Sequence, residues 1–153
     1  MPDSLHFMMG EFRAEFPADR HYAKNHMWAQ AAGGGAWRFG FTAYAVRLLQ
    51  DVYFLDWEIG AGAVLAPKQE IGQIESQKAE ASLYAPLEGT VHRINETLLA
   101  DPSAINVDKY GAGWLFELTA ADTAPLLTPD GYLDHLEQVW ITTQQTIKGQ
   151  AWQ

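Results

Sequence analysis

Short apolar runs broken by glycine and proline recur along this chain, and that punctuation constrains its fold more than any other feature. Val52 to Leu55 is closed off by Gly60 and Gly62, with Pro67 ending the loop. Gly89 opens a run to Asn95, and Gly111-Ala112-Gly113 leads into Trp114 to Leu118. Runs this short, bounded by turn residues, predict strands with tight connections. The expected architecture is mainly β, a small barrel or sandwich with two or three peripheral helices.

In chain order, residues 1–20 set no firm strand or helix and are expected to form a leader or strap ahead of a single domain over 21–150. His26 to Gln30 and Trp37 to Phe41, joined by Gly33-Gly34-Gly35, predict a hairpin. These glycines lack the G-x-G-x-x-G spacing and the helix that a phosphate loop requires. Thr42 is a candidate cap for a helix over Ala43 to Leu49 that buries Ala45, Val46 and Leu49. The unbroken run Val52 to Leu55 predicts a strand buried on both faces or rolled into a barrel. Asn95 to Ile105, with Asp101-Pro102, reads as a turn or short helix. Asp130 to Lys148 carries Leu133, Leu136, Val139, Trp140 and Ile147 near helical spacing, which predicts a closing C-terminal helix.

One hairpin stands out. Ile71 to Ile74 and Leu83 to Ala85 flank a polar tip with Lys78 at its crest, between Gln77 and Ala79. A lysine on a turn is ordinarily a solvated charge and nothing more. Few alternatives compete with it. The chain has no cysteine, so thiolate metal sites, iron–sulfur clusters, disulfides and cysteine nucleophiles are excluded, and any redox chemistry must arrive on an attached group. A net charge of −9 disfavours nucleic acid, because few cations are present to release phosphate counterions. No apolar run approaches the roughly 20 residues of a membrane span. Asp3, Glu11, Glu15 and Asp19 speak against a targeting peptide, so a cytoplasmic setting is expected. His6, His21, His26, His92 and His135 show no helical metal-binding pair, and there is no G-x-S-x-G elbow or Walker loop.

An ordered series of motifs resembles the H protein of the glycine cleavage system, a relative of lipoyl and biotinyl carrier domains. The series is Asn25-His26-Met27-Trp28, Gly40 to Ala45, Asp51 to Phe54, Ile74-Glu75-Ser76-Gln77-Lys78-Ala79, Leu83 to Gly89, Val91 to Asn95, Asp101 to Asn106, and Tyr110 to Leu115. The resemblance implies a barrel-sandwich hybrid with Lys78 as the attachment point of lipoic acid. Glu75, Ser76, Ala79 and Glu80 would form the turn around it, Ser76 and Ala79 being small enough to admit a ligase. It further implies a non-catalytic carrier that moves the aminomethyl group of glycine between glycine decarboxylase, an aminomethyltransferase and dihydrolipoyl dehydrogenase, after loading by a lipoyl ligase or transferase.

The chain departs from that family around the arm's expected resting place. Met27 stands where a glutamate is usual, Ser82 where an aspartate is usual, and Leu48 where a helix histidine is common; Gln50 replaces a glycine. Glu80 shares an ideal strand face with Ser82 and is a candidate substitute for the lost acid. Two further expectations therefore remain open: an H-like lipoate carrier serving sulfur oxidation or lipoyl relay, and a scaffold whose Lys78 is never modified.

Overall fold

The computed structural model describes residues 4–149, with side chains described as far as Thr143. The strands are β1 Ser4–Met9, β2 Phe12–Pro17, β3 His21–Tyr22, β4 Met27–Gly33 and β5 Ala36–Phe41; after helix α1 Ala43–Leu49 come β6 Val52–Trp57, β7 Val64–Leu65, β8 Glu70–Ser76, β9 Glu80–Tyr84 and β10 Gly89–Ile94. Short helices α2 Thr97–Ala100 and α3 Ala104–Val107 precede β11 Phe116–Thr119 and the long helix α4 Pro129–Gly149. The expected mainly-β architecture with a C-terminal helix is what forms. Of the residues expected on the apolar side of α4, Leu136 is fully buried and Leu133, Val139 and Trp140 pack beside it, while Ile147 lies outside the described side chains.

The strands make three sheets: β1–β2, the order β3-β4-β5-β11-β10-β7, and the order β6-β8-β9. None closes on itself. The six- and three-stranded sheets bury one shared core, with Phe39, Val91, Phe116 and Leu118 from the first and Leu55, Ile71, Ile74 and Leu83 from the second. Strand alternation lets β4 serve two cores at once. Met27 and Ala29 enter that first core, while Trp28 turns to a second one with Met9, Phe16, Tyr22, Tyr44, Tyr132 and Leu136. Trp28 is paired across the ladder with Gly40, where a Cβ would sit 2.6 Å from the indole. Only glycine leaves room for that ring.

Two expectations are corrected. Residues 4–17 are a β-hairpin, β1 and β2, turned at Gly10 with φ of 64°. Met9, Ala14 and Phe16 are buried in the second core, and Phe7 and Phe12 pack beside them. The strands alternate inward and outward as the pleat requires. Second, the run Val52 to Leu55 is covered on one side only: Val52 and Leu55 are buried, whereas Tyr53 and Phe54 are exposed. β6 is an edge strand, and a register shift between Val52 and Phe54 places both aromatic rings outward.

Candidate functional site

β8 and β9 meet in a turn over Ser76 to Ala79 whose centre is Gln77 and Lys78, and Lys78 is exposed. His26, Gln50 and Lys68 are the non-glycine residues with positive φ among those described, so neither turn centre adopts the left-handed conformation that suits a twisted hairpin. Ser76 compensates. Its backbone N–H donates to Ala79 O at 2.8 Å, its hydroxyl accepts the Ala79 N–H at 3.1 Å, and the same hydroxyl donates to Ala79 O at 3.1 Å. Ser76 is 4% exposed, and its hydroxyl staples the turn.

The tip is also docked on the chain ahead of it. Gln77 N–H donates to Asp51 O at 2.8 Å and Lys78 N–H to Leu49 O at 3.4 Å. That acceptor segment is held in turn by Asn106, which donates to Gln50 O at 2.7 Å and accepts the Val52 N–H at 2.9 Å. The lysine is thereby presented on a rigid mount, with its backbone fixed from α1 and α3. Glu75 and Glu80 face each other directly across the ladder beneath it.

Beside this tip lies a cleft of about 190 Å³ between β9, the chain at Asn25 to Met27, and α1. β9 is an edge strand, so its outer side borders the cleft. Met27, Phe41, Leu48, Leu49, Ile74 and Leu83 supply its apolar walls. Ala45 also lines it and is half-buried, which is why it leaves the expected buried stripe of α1. Asn25, His26 and Ser82 are the polar side chains on its wall other than Tyr84.

Each polar group is neutral. His26 is held to about 4, first by burial and then by the neighbouring His135, whose ring lies 5.8 Å away. Its Nδ1 is 2.9 Å from the Tyr132 hydroxyl, which burial keeps protonated. Asn25 donates from Nδ2 to Tyr84 O at 3.0 Å, while its Oδ1 is buried without a hydrogen-bond partner among the described residues.

Met27, Leu48 and Ser82, dispersed in sequence, thus converge on one surface next to Lys78. Glu75 is half-buried, Glu80 is exposed, and neither lines the cleft. The C-terminal helix reaches the same place: His135 is 3.1 Å from Lys24 O, and Tyr132 bonds both His26 and, at 2.9 Å, Thr42. Sequence reasoning missed the Tyr132 and His135 contributions, because nothing local links α4 to residues more than a hundred positions earlier.

The chain is a mainly-β domain with a lysine at an exposed hairpin tip, and comparison with known proteins specifies the family. The family model for the glycine cleavage H-protein matches residues 20–141, which include the tip and the cleft. A glycine cleavage system H protein of Mycobacterium avium (strain 104) is 38% identical over 113 residues, covering 74% of this chain and 85% of the relative. That of Stenotrophomonas maltophilia (strain K279a) is 38% identical over 128 residues, covering 81% and 96%. The crystal structure of a glycine cleavage system H protein from Mycobacterium marinum superimposes with a TM-score of 0.69 at 32% identity, covering 80% of this chain and 98% of that one. This chain belongs to the glycine cleavage H-protein family. The hairpin β1–β2 lies outside the matched residues.

Proposed function

We propose that this protein is the lipoyl carrier of a glycine cleavage system, with lipoic acid joined to Lys78 through an amide. The observation that carries the reading is the placement of Lys78 at the crest of a stapled, docked hairpin within the family match. An attachment lysine must clear the sheet to enter a ligase, yet be held firmly enough to be found there. Acylation would remove its charge and leave a long flexible tether.

The cleft fits such a group in character. Its apolar walls suit a hydrocarbon arm, and its volume falls below the roughly 300 Å³ at which pockets for whole small ligands begin, so it suits the end of a chain. When attached, the lipoyl group supplies a disulfide that accepts the aminomethyl unit left by glycine decarboxylation. The protein contributes position, effective concentration and shelter, and no catalytic residue. Its partners would be glycine decarboxylase, aminomethyltransferase, dihydrolipoyl dehydrogenase and a lipoyl ligase or transferase. A net charge of −9 favours meeting them through basic surfaces.

The test is glycine–bicarbonate exchange with a matching decarboxylase: lipoylated protein should support it and Lys78→Arg should not, since a guanidinium is no acylation target. The absence of a carboxylate among the described residues of the cleft wall favours a second reading, an H-like lipoyl carrier with another cargo, as in sulfur oxidation or lipoyl relay. Lipoylated protein that supports no exchange would select that reading over the first.

A further inference from the structure

The tip that carries Lys78 is fastened to a segment that is itself held in an unfavourable shape. Gln77 and Lys78 sit at the centre of a turn, where a backbone N–H has no ladder partner. Leu49 closes α1, where the last carbonyls of a helix likewise lack partners. The two sets meet: Lys78 N–H reaches Leu49 O and Gln77 N–H reaches Asp51 O. Between those carbonyls lies Gln50, at φ 61° and ψ −146°, a conformation that glycine alone enters freely. A residue with a Cβ is strained there and relaxes if nothing holds it. Relaxation would rotate the peptide groups on either side, and those groups carry the acceptors of the tip.

Asn106 is placed to hold it. Its side-chain amide spans the segment as a rung of a ladder would, donating from Nδ2 to Gln50 O at 2.7 Å and accepting the Val52 N–H at 2.9 Å. Gln50 N–H donates to Val46 O at 2.9 Å, so the strained residue is pinned from both α1 and α3. We propose that Asn106 is the positioning residue for modification of Lys78. By holding Gln50 in its strained conformation it keeps the Leu49 and Asp51 carbonyls where the tip docks, and so sets the fraction of molecules that a ligase can engage. The inference rests on the carrier reading for the modification, and adds what makes the lysine available to it. In that step the neutral Lys78 amine attacks the acyl carbon of a lipoyl adenylate. The amide C–N bond forms, the C–O bond to AMP breaks, and the amine's proton passes to solvent. Asn106 takes no part in that chemistry.

The test measures acylation of unmodified protein by a lipoyl ligase supplied with lipoate and ATP, alongside hydrogen exchange at the Gln77 amide. If only a fraction of tips is docked, the apparent KM rises by the inverse of that fraction while kcat is kept. Asn106→Ala should raise KM about tenfold, leave kcat unchanged and speed exchange at Gln77 about tenfold. Gln50→Gly added to Asn106→Ala should return both towards the parent, because glycine takes the same φ and ψ without strain. Val91→Ala is the control for stability alone. It truncates the buried core on β10, so it should lower the melting temperature and leave KM and Gln77 exchange unchanged.

A parental KM in Asn106→Ala would overturn the proposal. So would an equal rise in KM in Val91→Ala, since the effect would then belong to stability at large. Failure of Gln50→Gly to restore KM would also overturn it, because strain at Gln50 would not be what Asn106 opposes. The exchange measurement needs no lipoyl group. If the ligase leaves Lys78 of the parent protein unmodified, the carrier reading fails, while exchange at Gln77 still decides whether Asn106 holds the tip.

Discussion

At the scale of single residues, the site depends on polar atoms doing structural work. Ser76 replaces the backbone pairing that an unprimed two-residue turn loses. Ser76→Ala should destabilise the protein by about 1–2 kcal/mol, with faster hydrogen exchange at Ala79 and slower lipoylation at Lys78. An unchanged exchange rate at Ala79 would remove the staple from the account. His26 makes the fold sensitive to acid. Its folded value is about 4 against an ordinary 6.5, because burial and His135 oppose its charge. The unfolded chain then binds the extra proton between those two values. The stability tied to neutral His26 is complete above pH 6.5 and declines as pH falls to about 4, by about 3 kcal/mol in total. Glu117 behaves separately. The hydrogen bond from Arg93 leads the interactions that hold it below the usual carboxylate range, so its contribution is lost only at lower pH. Melting temperatures from pH 7 to 4 should trace the histidine term, and His26→Asn, which tolerates the φ of 71° there, should flatten it.

At the scale of elements, the boundary between what the sequence reveals and what it hides follows the range of the interactions. Helix α1 was legible to the residue, because Thr42 and the apolar spacing after it are local signals. Thr42 Oγ1 does accept the Ala45 N–H, at 3.4 Å. The hairpin carrying Lys78 was legible for the same reason. The first hairpin was not, although Phe7 and Met9 alternate with His6 and Met8 in the period of a strand. Its residues are weak strand formers interrupted by Glu11 and Glu15, and their burial depends on Tyr44, Tyr132 and Trp140 arriving from elsewhere. The exposure of Tyr53 and Phe54 was equally hidden, since it follows from the edge position of β6. The cleft could not be read at all from pattern. Only the expected departures from the resembled family's pattern at Met27, Leu48 and Ser82 marked where it would lie. Close packing between elements is testable at Gly40, where a methyl group would press on the Trp28 ring at 2.6 Å. Gly40→Ala should cost about 1–3 kcal/mol, measured by urea denaturation. A variant as stable as the parent would mean that the indole shifts without penalty.

At the scale of the whole molecule, two cores divide the work. The first joins the large sheets and supports the tip; the second fastens α4 and the added hairpin beneath the cleft. Phe12 stacks under Arg47 of α1 at 4.4 Å, which ties the hairpin to the helix on which the lysine tip is docked. Removing residues 1–19 should therefore lower the unfolding free energy by several kcal/mol through the loss of Met9, Ala14 and Phe16 from the core. The loss should also loosen the amide of Lys78 in hydrogen exchange, by weakening the support of α1. Modification of Lys78 is read from intact mass with peptide mapping, on protein expressed in a lipoylation-competent host. One lipoyl group is expected, on the peptide containing Lys78, and none in Lys78→Arg. An unmodified Lys78, or the group on Lys24, Lys68, Lys109 or Lys148, would contradict it.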